Sequence, residues 1–167
     1  MSDTLKDRAK KIKLLLTDCD GVLTDGCAYY SKDGEELKKF SLRDGMGVER
    51  LRKLCGIDTG IMTRENSEIV KRRGEKLKMQ HIYLGSLEKR ETLIQILEKH
   101  SLSVDEIAYI GDDANDIEVL EIAGFSACPA DSFEPVKKIA HYICKANGGE
   151  GAFRELAELI IHLRTEN

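Results

Sequence analysis

Short aliphatic runs alternate with stretches of helical periodicity along this chain, and that alternation leaves few folds open. Residues 12–16, 57–62, 81–84, 107–110, 125–128 and 142–144 read as strands. Between them, residues 45–55, 66–77, 89–100, 117–122 and 151–163 read as helices. Met46, Leu51 and Leu54 supply the apolar side of the first, and Leu93, Ile94, Ile96 and Leu97 form one stripe on the third. Gly56 sits where a helix C-cap belongs, and Ser103 to Glu106 has capping-box spacing over a single short turn. Strands separated by helices predict a parallel sheet covered on both faces. The expected fold is therefore α/β, a Rossmann-like three-layer sandwich. One segment breaks the pattern: residues 27–42 read as a hairpin turning at Lys32-Asp33-Gly34 and standing off the sheet.

A chain of 167 residues fits one domain, expected to span 1–167. Trp is absent, so the core must be aliphatic. The net charge of −4 is mild, with both signs interspersed, which argues against nucleic acid or an anionic membrane as the main partner. Cys19, Cys27, Cys55, Cys128 and Cys144 show neither a CxxC pair nor zinc spacing, and read as reduced, mostly buried thiols. The polar stretch 1–11 is unlike a signal peptide, and no apolar run approaches the roughly 20 residues of a membrane span. A cytoplasmic protein is expected.

Reactive groups fall where strands end, and in open parallel sheets ligands bind beyond those carboxyl ends. Asp18-Cys19-Asp20-Gly21 follows the first strand. Like charges so close resist joint ionisation, so a cation must join them or one must hold a proton. Both outcomes suit phosphoryl transfer, with Asp18 as nucleophile and metal ligand and Asp20 as proton donor. A short acidic motif is equally a surface turn, so it needs company. Thr63 ends the second strand, where a hydroxyl can hold a phosphate oxygen or cap a helix. Lys89 opens a long helix and can neutralise phosphate and nucleophile together. Asp112-Asp113-Ala114-Asn115-Asp116 follows the 107–110 strand and makes a hard-cation site suited to Mg²⁺. Asp112 is expected as a direct ligand, and Asp116 either as a water-bridged ligand or as an orienting group.

The four segments, in this order, resemble the motifs of the haloacid dehalogenase superfamily: DxDG(V/I)xT, a Ser/Thr, a Lys and GDD…D. The resemblance spans essentially the whole chain. It implies a phosphatase working through an aspartyl phosphate on Asp18, with Asp20 as acid/base and Thr63 and Lys89 on the phosphate. Asp112 would complete the Mg²⁺ site, with the backbone carbonyl of Asp20 a further ligand. Asp20–Gly26, Phe40 with Arg43-Asp44-Gly45, Tyr83 with Gly85, and Gly148–Ala152 with Arg154-Glu155 resemble one subgroup. These are small capless phosphatases of 3-deoxy-D-manno-octulosonate 8-phosphate, a precursor in lipopolysaccharide biosynthesis, and of related nonulosonate 9-phosphates. No insertion here is large enough for a cap domain. The subgroup implies a homotetramer in which the hairpin and C-terminal segment cover a neighbour's site.

Thr63-Arg64-Glu65 departs from the Thr-Gly-Arg usual in octulosonate enzymes, and Glu65 with Lys76 resembles the nonulosonate branch. Arg43-Asp44-Gly45 leans the other way, so both sugar acids stay open. Arg64, Arg72, Lys76 and Arg154 are candidates for the substrate carboxylate, Arg154 across a subunit boundary. A phosphoacceptor receiver module fits less well, since receivers lack a second acid two residues after the nucleophile. A non-catalytic regulatory domain fits less well because every catalytic position is filled.

Overall fold

The computed structural model describes residues 4–165; the first three residues of the polar N-terminal stretch and the last two of the expected 1–167 span lie outside it. In chain order the first half runs α1 (Leu5–Lys11), β1 (Leu14–Thr17), β2 (Thr24–Ser31), β3 (Gly34–Phe40), α2 (Leu42–Cys55), β4 (Asp58–Met62), α3 (Glu68–Lys76) and β5 (His81–Tyr83). The second half runs α4 (Lys89–His100), β6 (Ile107–Ile110), α5 (Ile117–Ile122), β7 (Phe125–Cys128), α6 (Glu134–Ile139), β8 (Tyr142–Ile143) and α7 (Ala152–Thr165). Six strands form a parallel sheet in the order β5-β4-β1-β6-β7-β8, and β2 pairs with β3 as a separate antiparallel hairpin.

The central strand explains the layers. Every residue of β1 is buried, because successive side chains point to opposite faces and both faces are covered. Leu15 joins a cluster with Ala9, Val48, Leu51, Val70, Phe153 and Leu156, drawn from α1, α2, α3 and α7. Leu14 and Leu16 join the opposite cluster, with Leu93, Ile96, Val119, Leu120 and Val136 from α4, α5 and α6. Among the described residues no helix is long and apolar enough to cross a membrane.

Several expectations need correcting. Helix α2 starts at Leu42, because the Ser41 hydroxyl accepts from the Arg43 N–H. Its buried face is Asp44, Gly47, Val48 and Leu51, so Met46 and Leu54 are exposed. Gly47 is the reason: its missing side chain lets α7 approach until a β-carbon there would lie 3.2 Å from Ala157. On α4, Leu93 and Ile96 are buried while Ile94 faces outward. Of the five free cysteines, Cys19, Cys128 and Cys144 are buried, Cys55 half-buried and Cys27 exposed. Helices α1 and α6 were not foreseen. A reciprocal cap between Thr4 and Asp7 opens α1, and Ile12 ends it rather than starting β1.

The carbonyls of Ala9, Lys10 and Ile12 at the end of α1 all accept from Arg164 of α7, at 2.9, 2.9 and 3.0 Å. Charged donors suit a helix C-terminus. Arg164→Ala should lower the unfolding free energy by about 1.5–3 kcal/mol, the range for hydrogen bonds to a charged group. Urea denaturation checks this, and an unchanged midpoint would remove the docking role.

Candidate active site

From β1 the chain adds β4 and then β5 on one side, then crosses to β6 on the other side of β1. Strand order reverses at the β1–β6 border, which opens a crevice at the carboxyl ends. Thr17 lies opposite Ile61 on β4 and Ile110 on β6. The segments that follow, carrying Asp18, Thr63 and Asp112, therefore leave the sheet side by side. Thr17 also donates its hydroxyl to the Asp18 carbonyl at 2.7 Å.

Asp18 is only 5% exposed. Its Oδ1 accepts from the Cys19 N–H at 2.7 Å, and its Oδ2 lies 2.9 Å from Lys89 Nζ. Lys89 also donates to Asp116 Oδ1 at 2.6 Å. Asp116 takes four hydrogen bonds: Lys89 and the Tyr109 hydroxyl on Oδ1, and the N–H groups of Asp112 and Asp113 on Oδ2. Asp113 caps the short turn 114–116 by accepting from the Ala114 N–H. Thr63 is buried, and its Oγ1 accepts from the Glu65 N–H at 3.3 Å, leaving the hydroxyl hydrogen for another partner.

Gly21 turns the loop that carries Asp18 and Asp20 with φ +85°, a left-handed conformation that favours glycine. A β-carbon there would lie 2.0 Å from Asp112 Oδ2. The turn at 148–149 presses on the same loop: the Gly149 N–H donates to the Val22 carbonyl at 2.9 Å, and a β-carbon on Gly148 would lie 2.0 Å from the Gly21 carbonyl oxygen.

A cleft of about 630 Å³ opens over this floor, lined by Asp18, Asp20, Thr63, Arg64, Glu65, Asp112 and their neighbours. Strand β1 stops at Thr17, so Asp18 and Asp20 share the cleft through the loop's turn and not through an extended strand. Asp20 holds Thr24 Oγ1 at 3.1 Å on one carboxylate oxygen and Lys38 Nζ at 2.6 Å on the other. Three candidates lie outside this cleft. Arg72 is exposed and 3.7 Å from Glu68. Lys76 lines a separate hollow with Arg52, Lys53 and Lys78, so it does not join Glu65 within one protomer. Arg154 pairs with Glu158 at 2.8 Å, while its backbone N–H donates to buried Asp44.

Lys38, Glu35 and Tyr109 were not singled out from sequence. Tyr109 reads as an ordinary aromatic in a buried strand. For Lys38 the sequence carries no signal: only the fold shows that the hairpin turns Tyr29, Tyr30 and Leu37 outward and the lysine inward.

The donor set fits a hard divalent cation. One oxygen each from Asp18, Asp112 and Asp116 lies within 4.8 Å of the others, and Asp112 Oδ1 is buried with no hydrogen-bond partner. Burial and the Asp116 charge raise the Asp18 carboxyl to about 7, against Lys89. Burial, then the charges of Asp18, Asp116 and Asp113, raise Asp112 to about 8. Burial works against the Lys89 ammonium, yet Asp18 and Asp116 hold it above its ordinary value.

A three-layer α/β fold with a carboxylate-bearing loop and an acidic cluster at the switch point is the scaffold of an enzyme. A family profile described as haloacid dehalogenase-like hydrolase matches residues 45–156, and the chain belongs to that family. It is 37% identical to the 3-deoxy-D-manno-octulosonate 8-phosphate phosphatase KdsC of Escherichia coli K12, over 92% of this chain and 81% of the relative. The phosphatase of that name from Moraxella catarrhalis, solved with magnesium, phosphate and KDO, superposes with a TM-score of 0.91 at 36% identity, covering 95% of this chain and 91% of that one. The cobalt-bound Haemophilus influenzae phosphatase superposes with a TM-score of 0.90 at 34% identity, over 94% and 91% of the two chains.

Asp18 and Asp112 fold with carboxyls near 7 and 8, against an ordinary 3.8. Between those values the native state holds more protons than the unfolded chain, so raising the pH works against folding. The metal-free protein should lose thermal stability between about pH 5 and pH 8. Mg²⁺ competes with those protons, so its stabilising shift in Tm should be larger at about pH 8 than at pH 5. Scanning calorimetry tests both; a Mg²⁺ shift independent of pH would argue that the cation binds elsewhere.

Proposed function

We propose that this chain hydrolyses the phosphate monoester of a 3-deoxy-2-ulosonic sugar acid, 3-deoxy-D-manno-octulosonate 8-phosphate, through a phosphorylated Asp18. The observation that carries the reading is the Asp18 carboxylate itself: desolvated, 2.9 Å from the Lys89 ammonium, and open to the cleft. The names of the relatives support the eight-carbon substrate.

Asp18 attacks phosphorus in line with the sugar oxygen, forming its bond as the phosphorus–sugar bond breaks. Lys89 stabilises the approaching anions, and Thr63 donates its free hydroxyl hydrogen to a phosphate oxygen. Asp20 gives a proton to the departing sugar oxygen. It then takes one from the water that attacks the acyl phosphate, which frees Asp18 and inorganic phosphate. Asp18, Asp112 and the Asp20 carbonyl would hold Mg²⁺, with Asp116 orienting the backbone at 112–113. When bound there, the cation supplies charge to offset the meeting of carboxylate and phosphate dianion.

The chain would act as one phosphatase domain, in the reducing cytoplasm that its free thiols suit. A homotetramer would give the exposed Tyr29, Tyr30 and Leu37 of the hairpin a surface to cover, and would bring Arg154 to a neighbour's cleft. Arg64 and Glu65, at the rim of the protomer's own cleft, would contact the sugar.

Asp18→Asn should abolish turnover while calorimetry still detects substrate binding; wild-type kinetics in that variant would sink the nucleophile. Removal of Mg²⁺ by a chelator should stop hydrolysis, and its return should restore it. kcat/KM for the octulosonate 8-phosphate should exceed that for a nonulosonate 9-phosphate by about ten-fold or more. The reverse order would transfer the assignment to the nine-carbon acid.

A further inference from the structure

The hairpin carries a charged chain that none of the motifs above includes. Lys38 extends from β3 to the edge of the cleft with its side chain only 3% exposed. Its ammonium lies 2.6 Å from Asp20 Oδ2 and 3.0 Å from Glu35 Oε1. Glu35 is tied in turn to the far wall, where its Oε2 accepts from the Ser67 hydroxyl at 2.5 Å. Ser67 stands just before α3, at the end of the loop that carries Thr63, Arg64 and Glu65. The other oxygen of Asp20 accepts from Thr24, at the base of the same hairpin.

A buried ammonium is costly unless its partners are close and well placed. An amphipathic hairpin left to itself would turn Leu37 or Tyr30 inward and a lysine outward, and this one does the reverse. The residue that gains from the inversion is Asp20, whose carboxylate is gripped at both oxygens by hairpin side chains. From this geometry we infer that Lys38 is a positioning residue for proton transfer by Asp20, and that Glu35 holds Lys38 in place for it. Two carboxylates on one ammonium have a consequence for the cycle. When Asp20 turns an oxygen to the leaving group, Glu35 still neutralises Lys38, so no buried cation is stranded. The inference rests on the acid role of Asp20 proposed above.

A leaving-group comparison tests it. kcat/KM reports the steps through formation of the acyl phosphate, where an alkoxide needs a proton and p-nitrophenolate does not. Lys38→Met should lower kcat/KM on the order of 10²-fold for the octulosonate 8-phosphate, or for any other alkyl phosphate that the wild type turns over. On p-nitrophenyl phosphate the loss should stay under about ten-fold. Lys38→Arg should recover most of the alkyl phosphate rate. Equal losses on both substrates, or none on either, would overturn the inference. Should Lys38→Met fail to fold, Glu35→Gln must show the same bias at smaller size, and equal losses there have the same force. Asp20→Asn run in parallel separates the two claims. If it shows no leaving-group bias, the acid role itself falls; if it does and Lys38→Met does not, only the positioning role falls.

Discussion

Three carboxylates and one ammonium meet at the dry end of the sheet, and their imbalance governs the rest of the molecule. At an effective dielectric near 20, two like charges about 4 Å apart repel by roughly 4 kcal/mol. Lys89 touches Asp18 and Asp116 directly, yet Asp112 keeps a buried oxygen with no partner. A fold that holds such a cluster must spend stability on it, and a six-stranded sheet with apolar clusters on both faces provides the reserve. The same imbalance suits a divalent cation, and Gly21 lets its loop close on Asp112, where a β-carbon would lie 2.0 Å from the carboxylate.

The two sides of the cleft are built on different principles. The floor comes from strand ends fixed by a rigid register, so Asp18, Thr63 and Asp112 inherit their spacing from backbone pairing. Asp20 shares the loop of Asp18, but the side chains that grip it, Thr24 and Lys38, come from a two-stranded hairpin outside the main sheet, and an isolated hairpin of that kind is marginal in water. Its attachment runs through the Lys38–Asp20 pair, the Ser67–Glu35 hydrogen bond and Phe40, which lies under Arg73. Asp18 and Asp20 thus share one loop but take their partners from parts of unequal stiffness, Lys89 on a helix against the sheet and Lys38 on the hairpin.

Most of the layer architecture and the floor of the site were legible because each depends on local pattern. Aliphatic runs such as 107–110 mark strands buried on both faces, and Asp18 and Asp112 follow such runs directly. What escaped depends on distant partners. Helix α1 is polar nearly throughout and persists through its cap and Arg164, far along the chain. Met46 and Leu54 misled because Gly47 lets α7 take the face that periodicity would give them. Arg72 and Lys76 lie outside the protomer's own cleft, because a charge on an exposed helix face does not by itself aim a side chain, whereas the place expected for Arg154 is a neighbour's cleft. Lys38 looked like one more solvated lysine in Glu-Glu-Leu-Lys-Lys, and only the fold reveals which of those charges turns inward.

The turn at Gly148 and Gly149 carries a consequence for how the molecule comes into being. Its backbone lies against Gly21 and Val22, so the loop bearing Asp18 acquires this support from a segment synthesised long after it. The N-terminal strands can associate earlier, as nascent chains do. Until the later turn arrives, the acidic cluster has its carboxylates without the clamp that sets their spacing. Synthesis therefore sets an order: the strand that leads into the acidic loop exists long before the turn that braces it.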